Sequence, residues 1–341
     1  QVVQKYTIGG SREEAADSLQ APVSKGLSGT FSHILEYEKG HRLYTDNDPD
    51  VGFYDSIYIS SSATNDSLYA RILRNTLRFD FNTSEEARFQ LGIGVGVLNE
   101  LNVYAQVIPS EAEETDRDTL RWTGSSNAIK GNIYSRIGDK FNWQASGKLY
   151  FTGLRAGDFE AKGQLTTGFN QGEKRSVIKA RGGVYNNGHA RWMNNYGSNH
   201  FKWSNDFNSE FRVNIGGDFK YPGIKFNVGI DYTLISNFLY FNDLALPDQH
   251  DGSVSVLGAL VSKDFSFWKM RFDNTVLVQK SSNENVLTLP LVSARTAFYF
   301  NHEFHFKSTG GRLQTQLGFE LEYNTSYYSR AYMPATGIFY K

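Results

Sequence analysis

No cysteine occurs anywhere in the 341 residues. Disulfides, thiolate nucleophiles and cysteine-ligated metals are therefore excluded, and the lack of stray thiols agrees with an oxidising compartment. Net charge is almost absent too, since 35 Lys and Arg face 36 Asp and Glu. So balanced a chain has no basic excess to offer nucleic acid, and none is expected as a partner. Only 7 prolines are present, few enough to leave long strands uninterrupted. No apolar run approaches the roughly 18 residues that a membrane-crossing helix needs. The densest, LGIGVGVL from Leu91, is itself an alternation. After Gly26 there is no helical periodicity of useful length.

What the chain does have is aromatic side chains, 15% of the total, and 32 glycines. Aromatic and glycine enrichment suits many strands with bends and close approaches. The segment FNWQASGKLYF carries the clearest pattern. Phe141, Trp143, Ala145, Gly147, Leu149 and Phe151 fall on one face, and Asn142, Gln144, Ser146, Lys148 and Tyr150 on the other. An alternating segment of about 10 residues with aromatics at both ends matches a tilted strand crossing a bilayer. The pattern recurs. Leu91, Ile93, Val95 and Val97 oppose Gly92, Gly94 and Gly96; Phe226, Val228 and Ile230 oppose Asn227, Gly229 and Asp231. Mean hydropathy is −0.46, as expected where every second residue faces water.

The predicted fold is all-β: a transmembrane antiparallel up-and-down β-barrel with about 14 visible strands. Residues 1–26 are expected to be a polar lead-in, periplasmic or disordered, and residues 27–341 the barrel. A large sandwich or propeller is the competing architecture. Against it stand strands of about 9–12 residues, longer than the usual 5–6 of soluble sheets. Aromatic pairs also bracket the apolar rows at Phe141/Phe151, Phe159/Phe169 and Phe211/Phe219. In lipid a sheet must close, because unpaired backbone groups are too costly there. Residues 44–65 and 109–121 are expected to be loops, and Phe201, Trp203, Asn205 and Phe207 the apolar row of another pass.

The polar faces are expected to line the lumen. Candidate pore-lining residues are Lys130, Arg136, Lys148, Glu160, Lys162, Lys179, Arg181, Lys225, Asp231, Lys269, Arg271, Asp273, Glu320 and Glu322. Cations outnumber acids among them, which predicts a mild preference for anionic solutes.

No catalytic or cofactor site is expected. His302 and His305 in NHEFHF fall on opposite faces of a strand and cannot readily share a metal. The DNDPD run at Asp46–Asp50 lacks calcium-loop spacing and reads as a turn. Gly92, Gly94 and Gly96 alternate strictly with no phosphate-binding lysine after them, so they are not a nucleotide loop. Ser32 and His33 are adjacent, pointing to opposite faces, and make no dyad.

Five segments carry a family resemblance: LGIGVGVLNEL from Leu91, NNYGSNHFKWSNDF from Asn194, LYFNDLALP from Leu239, SSNENVLTLPLVS from Ser281 and YYSRAYMPATGIFY from Tyr327. Together they resemble the "putative porin" family of Bacteroidota outer membranes. The resemblance implies an outer-membrane channel for passive passage of small hydrophilic solutes. The alternative is a non-conducting barrel subunit of a larger secretion or nutrient-uptake complex. Outer-membrane lipid or lipopolysaccharide, small solutes and other outer-membrane proteins are the implied partners. Similar chains continue past the PATG segment, so an incomplete C-terminus and 16 or more strands in the whole protein are expected.

Overall fold

The computed structural model describes residues 2–8, 27–50, 52–84, 87–109, 117–138, 140–169 and 175–341. Its strands are, in chain order, β1 (Val2–Ile8), β2 (Ser28–Asp46), β3 (Thr64–Asn82), β4 (Phe89–Pro109), β5 (Arg117–Ile137), β6 (Phe141–Gly153), β7 (Phe159–Phe169), β8 (Ser176–Asn187), β9 (Asn195–Gly197), β10 (Lys202–Ser204), β11 (Glu210–Tyr221), β12 (Phe226–Ser236), β13 (Leu239–Phe241), β14 (Pro247–Gln249), β15 (Ser253–Phe267), β16 (Met270–Ser281), β17 (Val292–His305), β18 (Arg312–Asn324), β19 (Ala331–Met333) and β20 (Ile338–Tyr340). Fourteen of them form one antiparallel up-and-down sheet, β1 to β8 and then β11, β12 and β15 to β18, each pairing with the next. Among the described residues no ladder joins the edge strands β1 and β18. The other six strands make three small hairpins, two in long connections and one in the segment after β18.

The antiparallel register holds the alternation of the sequence in phase across the sheet. Phe31 pairs with Phe79, Phe79 with Val95, Val95 with Gly131, and Gly131 with Gly147. A slip of one residue would put every one of these on the other face. Aromatic rings reinforce it across strands: Phe31–Phe79 at 4.7 Å, Phe272–Phe298 at 5.0 Å and Phe298–Phe319 at 5.3 Å between centroids. The apolar side is bare. Val95 is 56% exposed, and Ile215, Ile230, Phe265, Leu317 and Phe319 are exposed likewise. A continuous apolar face of this extent does not persist in water, so hydrocarbon is the medium that fits it. No helix among the described residues is long and apolar enough to cross a membrane.

Short turns alternate with long connections. At one end β11 joins β12 through the 3₁₀ turn Pro222–Ile224, and β15 joins β16 through Trp268 and Lys269. At the other, β2–β3, β8–β11 and β12–β15 are joined by long segments. One tight connection at the long end, β6–β7, depends on glycine. Gly153 adopts a φ of +84°, and a Cβ there would strike the Ser125 carbonyl.

Three expectations are corrected. The polar lead-in begins with a strand, because Val2–Ile8 pairs along its whole length with β2; residues 9–26 lie outside the described residues. Pro109 and Arg121 belong to strands, paired with Arg117 and Ala105, and only residues 110–116 of that predicted loop lie outside the described residues. Finally, Phe201 and Trp203 are not a membrane pass. Their alternation places them in a buried loop core, since a period of two cannot tell lipid from the inside of a folded connection.

Candidate functional site

The polar side of the sheet is its concave side. Arg42 of β2 reaches the segment beyond β18, where its guanidinium donates to the carbonyls of Pro334 (3.1 Å) and Ala335 (2.5 Å). Gln106 of β4 donates to the carbonyl of Gly197 in the β8–β11 connection. Strands far apart in the meander thus meet over one face.

Register places nearly all the sequence candidates on that face. Lys130 pairs with Lys148, and Lys148 with Glu160. Lys162 pairs with Gly183 of β8, the strand that carries Lys179 and Arg181. Arg181 pairs with Gly216, and Gly216 with Asp231. Arg136, Arg271, Asp273, Glu320 and Glu322 share the same parity. Lys225 and Lys269 do not belong with them, because each falls in a short turn. Lys225 is left-handed at φ 50° and donates to Ser266 (3.1 Å), and Lys269 contacts His302.

Most charges on the face are tied to one another. Arg181 binds Asp218 and, at 2.6 Å, Asp231. Arg271 binds Asp273 (2.6 Å) and Asp264 (3.2 Å), and Arg295 binds Glu320 (2.6 Å). Lys148 stands 3.6 Å from Glu160. The densest network is centred on Glu100, which is 2% exposed. It accepts from Arg74 (2.9 Å) and Asn102 (3.0 Å) and lies 3.5 Å from Arg155. Arg74 also holds Glu38, and Arg155 holds Asp158. With Asp80, Glu100, Asp218, Asp264 and Glu210 included, the cationic lean read from the sequence does not extend across the whole face.

The alternating glycines of β4 serve this network. A Cβ on Gly94 would collide with Asp80, Asn132 and Arg78, which bond one another in that space: Arg78 donates to Asp80 (2.6 Å) and Asn132 (2.7 Å). Below Glu100 lies a cavity of about 470 Å³ lined by Arg74, Arg78, Lys130, Lys148 and Arg155 among others.

Over the long-connection end the loops fold into a second core. Tyr54, Tyr196, Phe201, Trp203, Phe241, Ala245, Met333 and Ala335 are buried together, drawn from three connections and the segment after β18. Tyr196 stacks on Trp203 at 4.5 Å, and the Trp203 indole donates to the Trp192 carbonyl (3.0 Å). Asn199 is the clasp. Its Oδ1 accepts from the amides of Ile59 (3.0 Å) and Ser60 (2.9 Å), and its Nδ2 donates to the Ser60 carbonyl and the Thr64 hydroxyl (both 2.8 Å). The DNDPD run is a turn in the same connection, with Asp46 and Asp50 accepting from the amides of Asp48 and Gly52. No group of His, Asp or Glu suited to a metal occurs among the described residues.

A profile of the family described as "Putative porin" matches residues 3–341. The chain belongs to that family. No curated protein matches it. Among the solved structures that it matches are two transporters. The "Copper transporter OprC" has a TM-score of 0.44 at 10% identity, over 87% of this chain and 59% of that one. The FrpB iron transporter from Neisseria meningitidis (F3-3 variant) has a TM-score of 0.21 at 7% identity, over 87% of this chain and 69% of that one.

In this member of the porin family, His200 ties the loop core to pH. Its Nδ1–H donates to the Ser56 carbonyl (3.2 Å), so in the neutral ring Nε2 accepts from the Thr64 hydroxyl (2.8 Å). The ring stacks on Tyr54 at 3.8 Å. Burial lowers its pKa below the ordinary 6.5. Above pH 6.5 both docked and undocked loops carry the neutral ring, and docking is unaffected. As pH falls below 6.5 the undocked ring takes up a proton that the docked ring resists, so docking weakens until the native pKa is passed. The expected outcome is that the ratio of proteolysis rates within residues 52–63 at pH 5 and pH 7.5 is higher in the wild-type protein than in His200→Gln, since buried Asp66, its pKa pushed up to about 6, favours docking at low pH in both.

Proposed function

We propose that the protein is an outer-membrane channel of a Gram-negative bacterium for passive passage of small hydrophilic solutes. The observation that carries the reading is the register-locked segregation of one sheet into a bare apolar face and a charged, hydrogen-bonded concave face. Membership of the porin family supports it. On this reading the outer face meets lipid or lipopolysaccharide, and the candidate charges solvate a water-filled lumen. The chemistry is selection by size and charge, not catalysis.

The test is single-channel recording of the purified protein in planar bilayers. Stepwise conductance is expected. The loop core favours a second reading, a non-conducting barrel that docks other outer-membrane proteins, because three connections and the segment after β18 pack into an apolar mass over one end. Silence in the bilayer, together with stable co-purifying proteins, would select that reading.

A further inference from the structure

The 470 Å³ cavity below Glu100 is lined by five basic side chains, Arg74, Arg78, Lys130, Lys148 and Arg155, and three carboxylates, Glu36, Glu100 and Glu160, while Glu38, Asp80 and Asp158 just beyond its wall pair with Arg74, Arg78 and Arg155. The carboxylates are already engaged. Glu100 is held by Arg74, Asn102 and Arg155, Glu160 lies against Lys148, and Glu36 has partners of its own. Lys130 is the remainder. Its ammonium donates to the Thr76 hydroxyl (3.3 Å) and forms no carboxylate ion pair among the described residues. It also sits directly opposite Lys148. Like charges facing across a ladder destabilise a sheet; Glu160 offsets this at Lys148, whereas Lys130 has only the more distant field of Glu36 and Asp80.

We propose that this cavity binds the oxyanion group, phosphate or carboxylate, of a small hydrophilic solute. Lys130 and Lys148 would donate charge-assisted hydrogen bonds to it, and Arg78 would add long-range attraction while staying on Asp80. The neighbouring Asn132 and Ser146, also at the cavity wall, offer neutral groups to the rest of the solute. The volume suits a molecule of metabolite size. Such a site would concentrate anions inside a conduit of balanced overall charge. It rests on the channel reading only for its purpose, since binding can be measured without conduction.

The experiment is calorimetric titration of the detergent-solubilised protein with inorganic phosphate and, separately, with succinate. Saturable binding of at least one is expected, weakening by about tenfold or more in Lys130→Gln, as for the loss of one charged hydrogen bond. Lys130→Arg should retain it, and Lys179→Gln, outside the cavity, should leave it unchanged. Which titrant binds tells phosphate from carboxylate recognition. If Lys130→Gln fails to fold, protection of Lys130 and Lys148 from an amine-reactive reagent by the bound titrant in the wild-type protein decides the matter. No saturable binding of either titrant at tens of millimolar, or equal loss in Lys130→Gln and Lys179→Gln, overturns the proposal. Binding without conductance steps would reject the channel reading alone. Steps without binding would reject this site alone.

Discussion

Replacing Asn199 with alanine is expected to unfasten the loop core while leaving the sheet intact. The side chain is 1% exposed, and four of its hydrogen bonds fix the connection between β2 and β3. Truncation leaves the amides of Ile59 and Ser60 and the Ser60 carbonyl without that partner. Each orphaned buried group costs about 1–3 kcal/mol. Water entering the gap recovers part of this, so a net loss of about 3 kcal/mol in docking is the expected scale, or roughly a hundredfold in the fraction of time the loops are open. Hydrogen exchange at the Ile59 and Ser60 amides should accelerate by that factor, with exchange in β4 and β5 unchanged. On the channel reading, conductance should rise as well. Unchanged exchange at both amides would mean that the apolar packing of Tyr54, Trp203 and Phe241 holds the loops without the clasp.

The second large effect tests the medium. Val95 lies on the bare apolar row near the middle of its neighbours Phe79 and Gly131. An arginine there would have to sit in hydrocarbon, at a cost of about 2–4 kcal/mol near the bilayer midplane. Gln279 has the parity of Asp273 and Arg271, so an arginine in its place would meet the concave, charged side. Gln279→Arg is expected to cost close to nothing. Urea titrations of both variants folded in lipid vesicles measure the difference. Equal effects would mean that the apolar row contacts protein rather than lipid.

The faces of this sheet were legible in the sequence because a strand period of two survives any number of strands once the register is antiparallel. The assignment of Lys130, Lys148, Glu160, Arg181 and Asp231 to one side needed no contacts at all. Strand ends were less legible. Val2–Ile8 reads VVQKYTI, with apolar residues on both faces, and so carried no alternation to see. The outer tips of β3 and β5, Thr64–Asn65 and Arg117–Arg121, fall within the expected loops, because above the apolar belt the outward row turns polar, as at Arg71. Arg74 and the Glu100 network, the most tightly bonded part of the site, were not among the sequence candidates. The one signal available was Glu100 itself, a carboxylate at a position whose neighbours along β4 imply burial. The opposite error, at Phe201 and Trp203, has the same root. Alternating aromatics report that one side of a segment is dry, and a folded connection can be as dry as a bilayer.

The rim formed by these strands is uneven. β2 to β5 run for 19 to 21 residues, whereas β7, β8, β11 and β12 have only 11 or 12. At about 3.3 Å per residue the difference is roughly 25–30 Å along the strand. The mouth is therefore slanted, with a tall parapet on one flank and a low sill on the other. The connections that leave the sill lean across and rest against the parapet, where Asp66 and Gln106 receive them. On the channel reading, a solute crossing this end meets a wall on one side and a roof of loops on the other, and its approach is over the sill, beneath the loops that Asn199 holds down.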